Sequence, residues 1–232
     1  MPSDNTSSPA NWSGDLAVRL AKVRSLIPDH VRLIAVSKTF PASIIRSAYA
    51  EGIRDFAENK VQEALSKQAE LSDLTDVTWH FIGRIQSNKS RKVVESFDWI
   101  HSVDSLKLAN RLNRQAAEMG RHPSCCLQVK LLADPTKTGF EVDALMAALP
   151  DLDQLNHLNI CGLMVILPYG LSPDASAEGF AKAQALAEQI NQAGMINLKI
   201  LELSMGMSGD FEAAIAAGAT MVRIGSALFG AR

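Results

Sequence analysis

The sequence has no excess of either charge, no long apolar run and few cysteines. Lys and Arg number 23 against 25 Asp and Glu, a formal net charge of −2, so there is no electrostatic footprint for nucleic acid. No apolar stretch approaches the ~20 residues needed to span a bilayer, and no membrane role is expected. The polar opening, "MPSDNTSSPANWSGD", lacks the apolar segment of a signal peptide. Residues 1–14 are expected to be a flexible tail. The three cysteines, Cys125, Cys126 and Cys161, sit in apolar stretches with no metal-ligand spacing. They read as buried free thiols in a reducing cytoplasm. No linker or low-complexity stretch divides the chain, which predicts one domain over 15–232.

What is present is an alternation of short apolar runs with longer segments of helical period. A helix is predicted over 15–26, with Leu16, Leu20, Val23 and Leu26 on one face. Strands are predicted at Arg32–Ser37, "IRDFAEN", "VTWHFIG", "WIHSV", "CCLQVKLL", "NICGLMVIL", "LKILELS" and "TMVRIG". Helical segments separate them, including 105–119, ended by Gly120, and 175–193, closed by Gly194. Eight strands joined by helical crossovers imply a parallel sheet. In about 200 residues they point to a closed (β/α)8 barrel, an α/β fold, with one extra N-terminal helix. An open doubly wound sheet is the alternative.

In a barrel, function gathers at the C-terminal ends of the strands. Lys38 stands there, after the run "RLIAV". It is either a solvated rim lysine or an imine-forming one, because an apolar mouth disfavours the charged amine. The runs "SMGMSGD" and "GSALFGAR" follow the last two strands, where barrels often hold phosphate. Each pairs glycine with serine. Ser208 and Ser226 either cap their own helices or, with Gly225, help cradle an anion. Arg223 lies on an apolar strand, on one face with Met221 and Gly225, and must find a buried acceptor. That acceptor is a core carboxylate such as Glu58 or Glu202, or else a ligand.

The motifs "AVSKTFP", "FAENKVQEA", "WHFIGRIQSNK", "GLMVI", "LSMGMSGDFEAAI" and "VRIGSALFG" resemble the pyridoxal phosphate homeostasis protein family, the PROSC-like group, across roughly residues 15–232. The resemblance implies a single TIM barrel similar to the N-terminal domain of alanine racemase. It implies a pyridoxal 5′-phosphate-binding protein of vitamin B6 and amino-acid homeostasis, without established turnover. Lys38 matches the Schiff-base lysine, and Ser208, Gly225 and Ser226 match the phosphate loops. Arg223 matches the arginine facing the pyridine nitrogen, and Asn59, His80 and Met164 match positions around the ring. Taken without the resemblance, His80 reads as a core histidine and Asn59 as a helix cap. The sequence departs from the common family pattern at Ala57, where glycine is frequent, and at Arg84, where histidine is frequent.

Three functions compete: a non-catalytic carrier, a pyridoxal phosphate-dependent racemase, and a Schiff-base aldolase. The paired glycine–serine motifs disfavour the aldolase. An arginine at the pyridine nitrogen makes a weak electron sink, and the second base of the alanine racemase family comes from a further domain. The expectation is a cytoplasmic, monomeric carrier that hands pyridoxal phosphate to apo-enzymes.

Overall fold

Residues 10–134 and 137–230 are described by a computed structural model of the chain. Among them the strands are β1 Arg32–Val36, β2 Asp55–Glu58, β3 Thr78–Phe81, β4 Trp99–Val103, β5 Ser124–Lys130, β6 Phe140–Glu141, β7 Asn159–Val165, β8 Glu202–Ser204 and β9 Met221–Ile224. All pairings are parallel, in the order β4-β3-β2-β1-β9-β8-β7-β5, and a β4–β5 pairing closes the barrel. The two-residue β6 extends the edge of β5 beyond β4, pairing Val129 with Phe140 and Lys130 with Glu141. No periodicity in "FE" announces it.

The helices are α1 Ala10–Arg24, α2 Ala42–Ala50, α3 Val61–Glu70, α4 Ser90–Ser96, α5 Leu106–Met119, α6 Val142–Leu152, α7 Pro173–Gln192, α8 Phe211–Ala216 and α9 Ser226–Phe229. Their boundaries have local causes. Ser105 accepts from the Leu108 N–H at the start of α5, and Gly120 ends it with φ 60°. Ser172 accepts from Ala175 N–H ahead of Pro173 in α7. Helix α1 begins five residues before the predicted start, inside the stretch expected to be tail. The earlier part of that stretch, residues 1–9, lies outside the described residues. Leu16, Leu20 and Val23 are buried, but the helix ends before Leu26, which is exposed.

Strand alternation divides the core in two. Ala35, Phe56, Phe81, Ile100, Leu163, Val165 and Val222 face the helix layer. Ile34, Val36, Ala57 and Met221 pack inside the barrel with Ile82 and Trp99. β8 is shorter than its predicted run of 198–204. Asp153 accepts the N–H groups of Ile196, Asn197 and Leu198, and Asn191 bonds both the N–H and C=O of Ile200. Side chains therefore take bonds that a neighbouring strand would otherwise supply. No helix among the described residues is long and apolar enough to cross a membrane.

Candidate functional site

Ile34 and Val36 face the barrel interior, and Lys38 follows two residues beyond Val36, in the turn that leaves β1. It is half-buried. The next residue, Thr39, has φ 68°, the left-handed region that a β-branched side chain rarely enters. The turn is held there from outside the barrel. The Thr39 N–H donates to Glu63 Oε1 on α3. Lys67, four residues along α3, donates to Glu63 Oε1 at 2.7 Å, Glu58 Oε1 at 2.7 Å and the Ser37 carbonyl at 2.9 Å. The Ser37 hydroxyl also donates to Glu58 Oε1, at 2.7 Å. Glu58 and Lys67 are both buried. Burial raises the Glu58 carboxyl above the usual carboxylate range, against the opposing pull of Lys67 and Ser37.

The loops after β8 and β9 are joined by one hydroxyl. Ser208 Oγ accepts from Gly225 N–H at 3.3 Å and Ala227 N–H at 3.2 Å. Ser208 thus caps α9 from the neighbouring loop, rather than its own helix. The Ser226 side chain is exposed at the start of α9 and makes no capping bond. Gly206 shapes the first of these loops. Its φ is +86°, and a Cβ there would stand 2.6 Å from the Ala214 side chain. Its carbonyl accepts from Arg223 N–H at 3.0 Å. Gly225 lies against Val36, with an added Cβ 3.5 Å from the Val36 carbonyl. One residue, Ser37, therefore separates the neighbour of this cradle from Lys38.

Arg223 is almost fully buried, yet it pairs with neither Glu58 nor Glu202, the carboxylates its apolar strand suggested. Glu58 sits on the outer face with Lys67, and Glu202 accepts from Thr220 Oγ1. Arg223 donates instead from Nη1 to Ser204 Oγ at 2.7 Å and from Nη2 to the Val165 carbonyl at 2.9 Å. Burial lowers its pKa to about 10, so it stays charged at neutral pH. Of five N–H donors, three are left for other acceptors.

His80 is a satisfied core histidine. Its Nε2 lies 2.9 Å from Asp55 Oδ1, its Nδ1 lies 2.9 Å from His101 Nε2, and its ring stacks on Trp99 at 5.9 Å. His101 Nδ1 is 2.8 Å from Ser204 Oγ. Both rings are fully buried, and burial pushes both below the usual imidazole pKa, His101 furthest. Asp55 partly offsets the effect at His80, while Arg223 and Arg32 add to it at His101. The unfolded chain takes up these protons near pH 6.5, the folded chain only at lower pH. Below about pH 6.5 the unfolded state therefore binds more protons, and stability falls by up to about 1.4 kcal/mol per pH unit for each ring. Urea unfolding between roughly pH 7.5 and 5 should show a midpoint that drops with pH. A flat profile would mean that these histidines are not held neutral.

Asn59 follows β2 directly but caps no helix. Its Oδ1 is buried without a partner among the described residues. Gly83, after β3, lets the two loops touch: a Cβ there would fall 2.0 Å from the Asn59 carbonyl oxygen. Met164, between Leu163 and Val165, faces the interior opposite their outer packing. Lys38, Asn59, Ser208, Gly225 and Ser226 all follow the C-terminal ends of their strands, while Met164 and Arg223 lie within β7 and β9. His80 lies deeper, with both nitrogens engaged inside the protein. Asp55, His101 and Ser204 were not singled out from the sequence. The signal was present, since "WHF" and "IHS" put a histidine at the third position of β3 and of β4 alike.

The family described as "Alanine racemase, N-terminal domain" matches residues 13–232. The pyridoxal phosphate homeostasis protein of Synechocystis sp. is 51% identical over 212 residues, covering 91% of this chain and 96% of that protein. The protein of the same name from Escherichia coli K12 is 42% identical, over 94% of this chain and 97% of its own. The structure of PipY from Synechococcus elongatus with PLP bound aligns with TM-score 0.89 and 55% identity, over 93% of this chain and all of PipY. An alanine racemase of Clostridium difficile aligns with TM-score 0.76 and 15% identity, over 94% of this chain and 57% of the racemase, a likeness of fold.

Proposed function

Because this chain belongs to the pyridoxal phosphate homeostasis protein family, we propose that its barrel mouth binds pyridoxal 5′-phosphate and holds it through Lys38. The observation that carries this reading is the placement of the Ser208–Gly225–Ala227 cradle against Val36, on the strand that leads into Lys38. The Ser208 hydroxyl, which accepts from the Gly225 and Ala227 N–H groups, has its own proton to offer a phosphate, and a nearby lysine suits an aldehyde. Asn59 Oδ1, buried without a partner among the described residues, is an acceptor suited to a hydroxyl of the ring.

When bound, pyridoxal phosphate supplies an aldehyde that condenses with an amine, with loss of water. The residues of the chain do the rest. Ser208, Gly225 and Ser226 would take the phosphate, and Met164 and Asn59 would border the ring. Arg223 can only donate, so it would hold a pyridine nitrogen as an acceptor, without a proton. Adding pyridoxal phosphate to the ligand-free protein should give a yellow, borohydride-reducible species. Failure to bind would end the proposal.

Within this reading the protein is a carrier: it holds the cofactor, releases it to apo-enzymes, acts as a monomer in the cytoplasm, and has little turnover of its own. Arg223 supports this, since a nitrogen left unprotonated makes the ring a poor sink for a carbanion. Incubation with L-alanine should therefore give no more α-proton exchange than free pyridoxal phosphate gives. Sustained exchange that disappears with Lys38→Ala would make the protein a racemase instead.

Ser208→Ala removes an acceptor shared by two loops and a donor to the phosphate. A hydrogen bond to a charged group contributes about 1.5–3 kcal/mol, so affinity should fall roughly ten- to a hundredfold. Equilibrium dialysis would show it. Wild-type affinity in both Ser208→Ala and Ser226→Ala would displace the cradle from these loops.

A further inference from the structure

We propose that Asp55, His80, His101 and Ser204 form one proton-ordered hydrogen-bond chain through the barrel interior, and that this chain positions Arg223 for the ligand. The chain starts at the first residue of β2, near the N-terminal end of the barrel. It crosses β3 and β4, then passes to the last residue of β8 and the third of β9. Its four links measure 2.9, 2.9, 2.8 and 2.7 Å.

The direction follows from the ends. Arg223 can only donate, and an ionised Asp55 can only accept. Between them stand two imidazoles and a hydroxyl. When both rings are neutral, each of these three groups has one proton to give. Asp55 takes the proton of His80 Nε2. His80 Nδ1 is then an acceptor and takes the proton of His101 Nε2. His101 Nδ1 in turn takes the Ser204 hydroxyl proton. Ser204 Oγ is left with lone pairs only, one of which faces Arg223 Nη1. One alternative ordering is an imidazolium at His80 that donates both ways, with His101 carrying its proton on Nδ1. Complete burial of both rings opposes it, and Arg32 adds a repulsive charge at each.

Two consequences follow. Ser204 cannot turn its proton toward Arg223, so the arginine meets an acceptor in a single orientation. The guanidinium is then fixed along one edge by Ser204 and Val165, with its other donors directed elsewhere. Asp55 becomes a distant counter-charge for Arg223, acting through three intermediates rather than by contact. His80, Ser204 and Asp55 are positioning residues that need not touch the ligand.

The proposal rests on the pyridoxal phosphate reading only in naming what Arg223 serves, and its test needs no cofactor. Two-bond 15N–1H correlation spectra of the ligand-free protein at neutral pH report the tautomer of each histidine. Both His80 and His101 should be neutral with the proton on Nε2. A proton on Nδ1 of either ring, or an imidazolium at either, would overturn the ordered chain. For the positioning role, the Nη resonances of 15N-labelled Arg223 should be resolved in the wild type. They should collapse by exchange in Ser204→Ala and return in Ser204→Thr, which restores the hydroxyl. Resolved signals in a folded Ser204→Ala, or no rescue in a folded Ser204→Thr, would remove Ser204 from that role. Should pyridoxal phosphate fail to bind while the tautomers are as expected, the function falls and the chain stands.

Discussion

Lys38→Ala should bind pyridoxal phosphate without ever fixing it. The wild-type protein, reduced with borohydride and digested, is expected to carry the cofactor on the peptide containing residue 38. The variant should carry none. Covalent attachment is therefore lost entirely, the largest effect any single substitution should have on this site. Weak binding should persist, because the Ser208–Gly225 cradle and Arg223 are untouched by the change. Two results would defeat the assignment: an adduct on Lys60, Lys89 or Lys137 in the wild type, or an unchanged adduct yield in Lys38→Ala. The physical warrant is the position of Lys38 two residues beyond Val36, whose side chain faces the barrel interior, at the C-terminal end of β1.

The second large effect is on stability. Lys67 is the cation of a buried cluster whose anions are Glu58 and Glu63. Removing it leaves the fully buried Glu58 carboxylate uncompensated, with one oxygen already lacking a partner among the described residues. Breaking one side of a buried ion pair costs about 3–5 kcal/mol. For a chain of this size that lowers Tm by roughly 6–20 °C. Lys67→Ala should therefore unfold well below the wild type in a calorimetric scan. Replacing Glu58 and Lys67 together by apolar residues of similar volume should be much milder, because no charge is stranded. A loss under about 1 kcal/mol in Lys67→Ala would mean that water reaches the cluster.

Much of this architecture was legible in the chain. Eight strands alternating with helices are visible as short apolar runs between amphipathic segments, and those runs became the barrel walls. Arg223 could be placed on one face with Met221 by counting along β9, and Lys38 just past the end of β1. Long-range side-chain bonds were harder to see. Asn191 and Asp153 take over the backbone groups of residues 196–200, so an apolar run read as strand is only partly one. The partner of Arg223 could not be read from its neighbours, because Ser204 and Val165 come from other strands. Ser208 looked like the cap of its own helix, yet it serves the next loop, a relation that exists only once β8 and β9 lie side by side. The left-handed turn at Thr39 had no glycine to announce it. It is imposed from α3 by Glu63 rather than by local preference.

That turn bears on how readily a cofactor held in the proposed way would leave. With the phosphate docked first, attack by Lys38 is intramolecular, and its driving force is an effective concentration set by how narrowly the amine is confined. A free amino acid competes for the same aldehyde in proportion to its own concentration. The clamp from Glu63 restricts the backbone beside Lys38, which raises that effective concentration and sets the threshold a competing amine must exceed. Loosening the clamp would not abolish attachment. It would lower the threshold and let ordinary pools of amines draw the cofactor off, so in the proposed carrier the rigidity of a single strained turn would act as the retention setting.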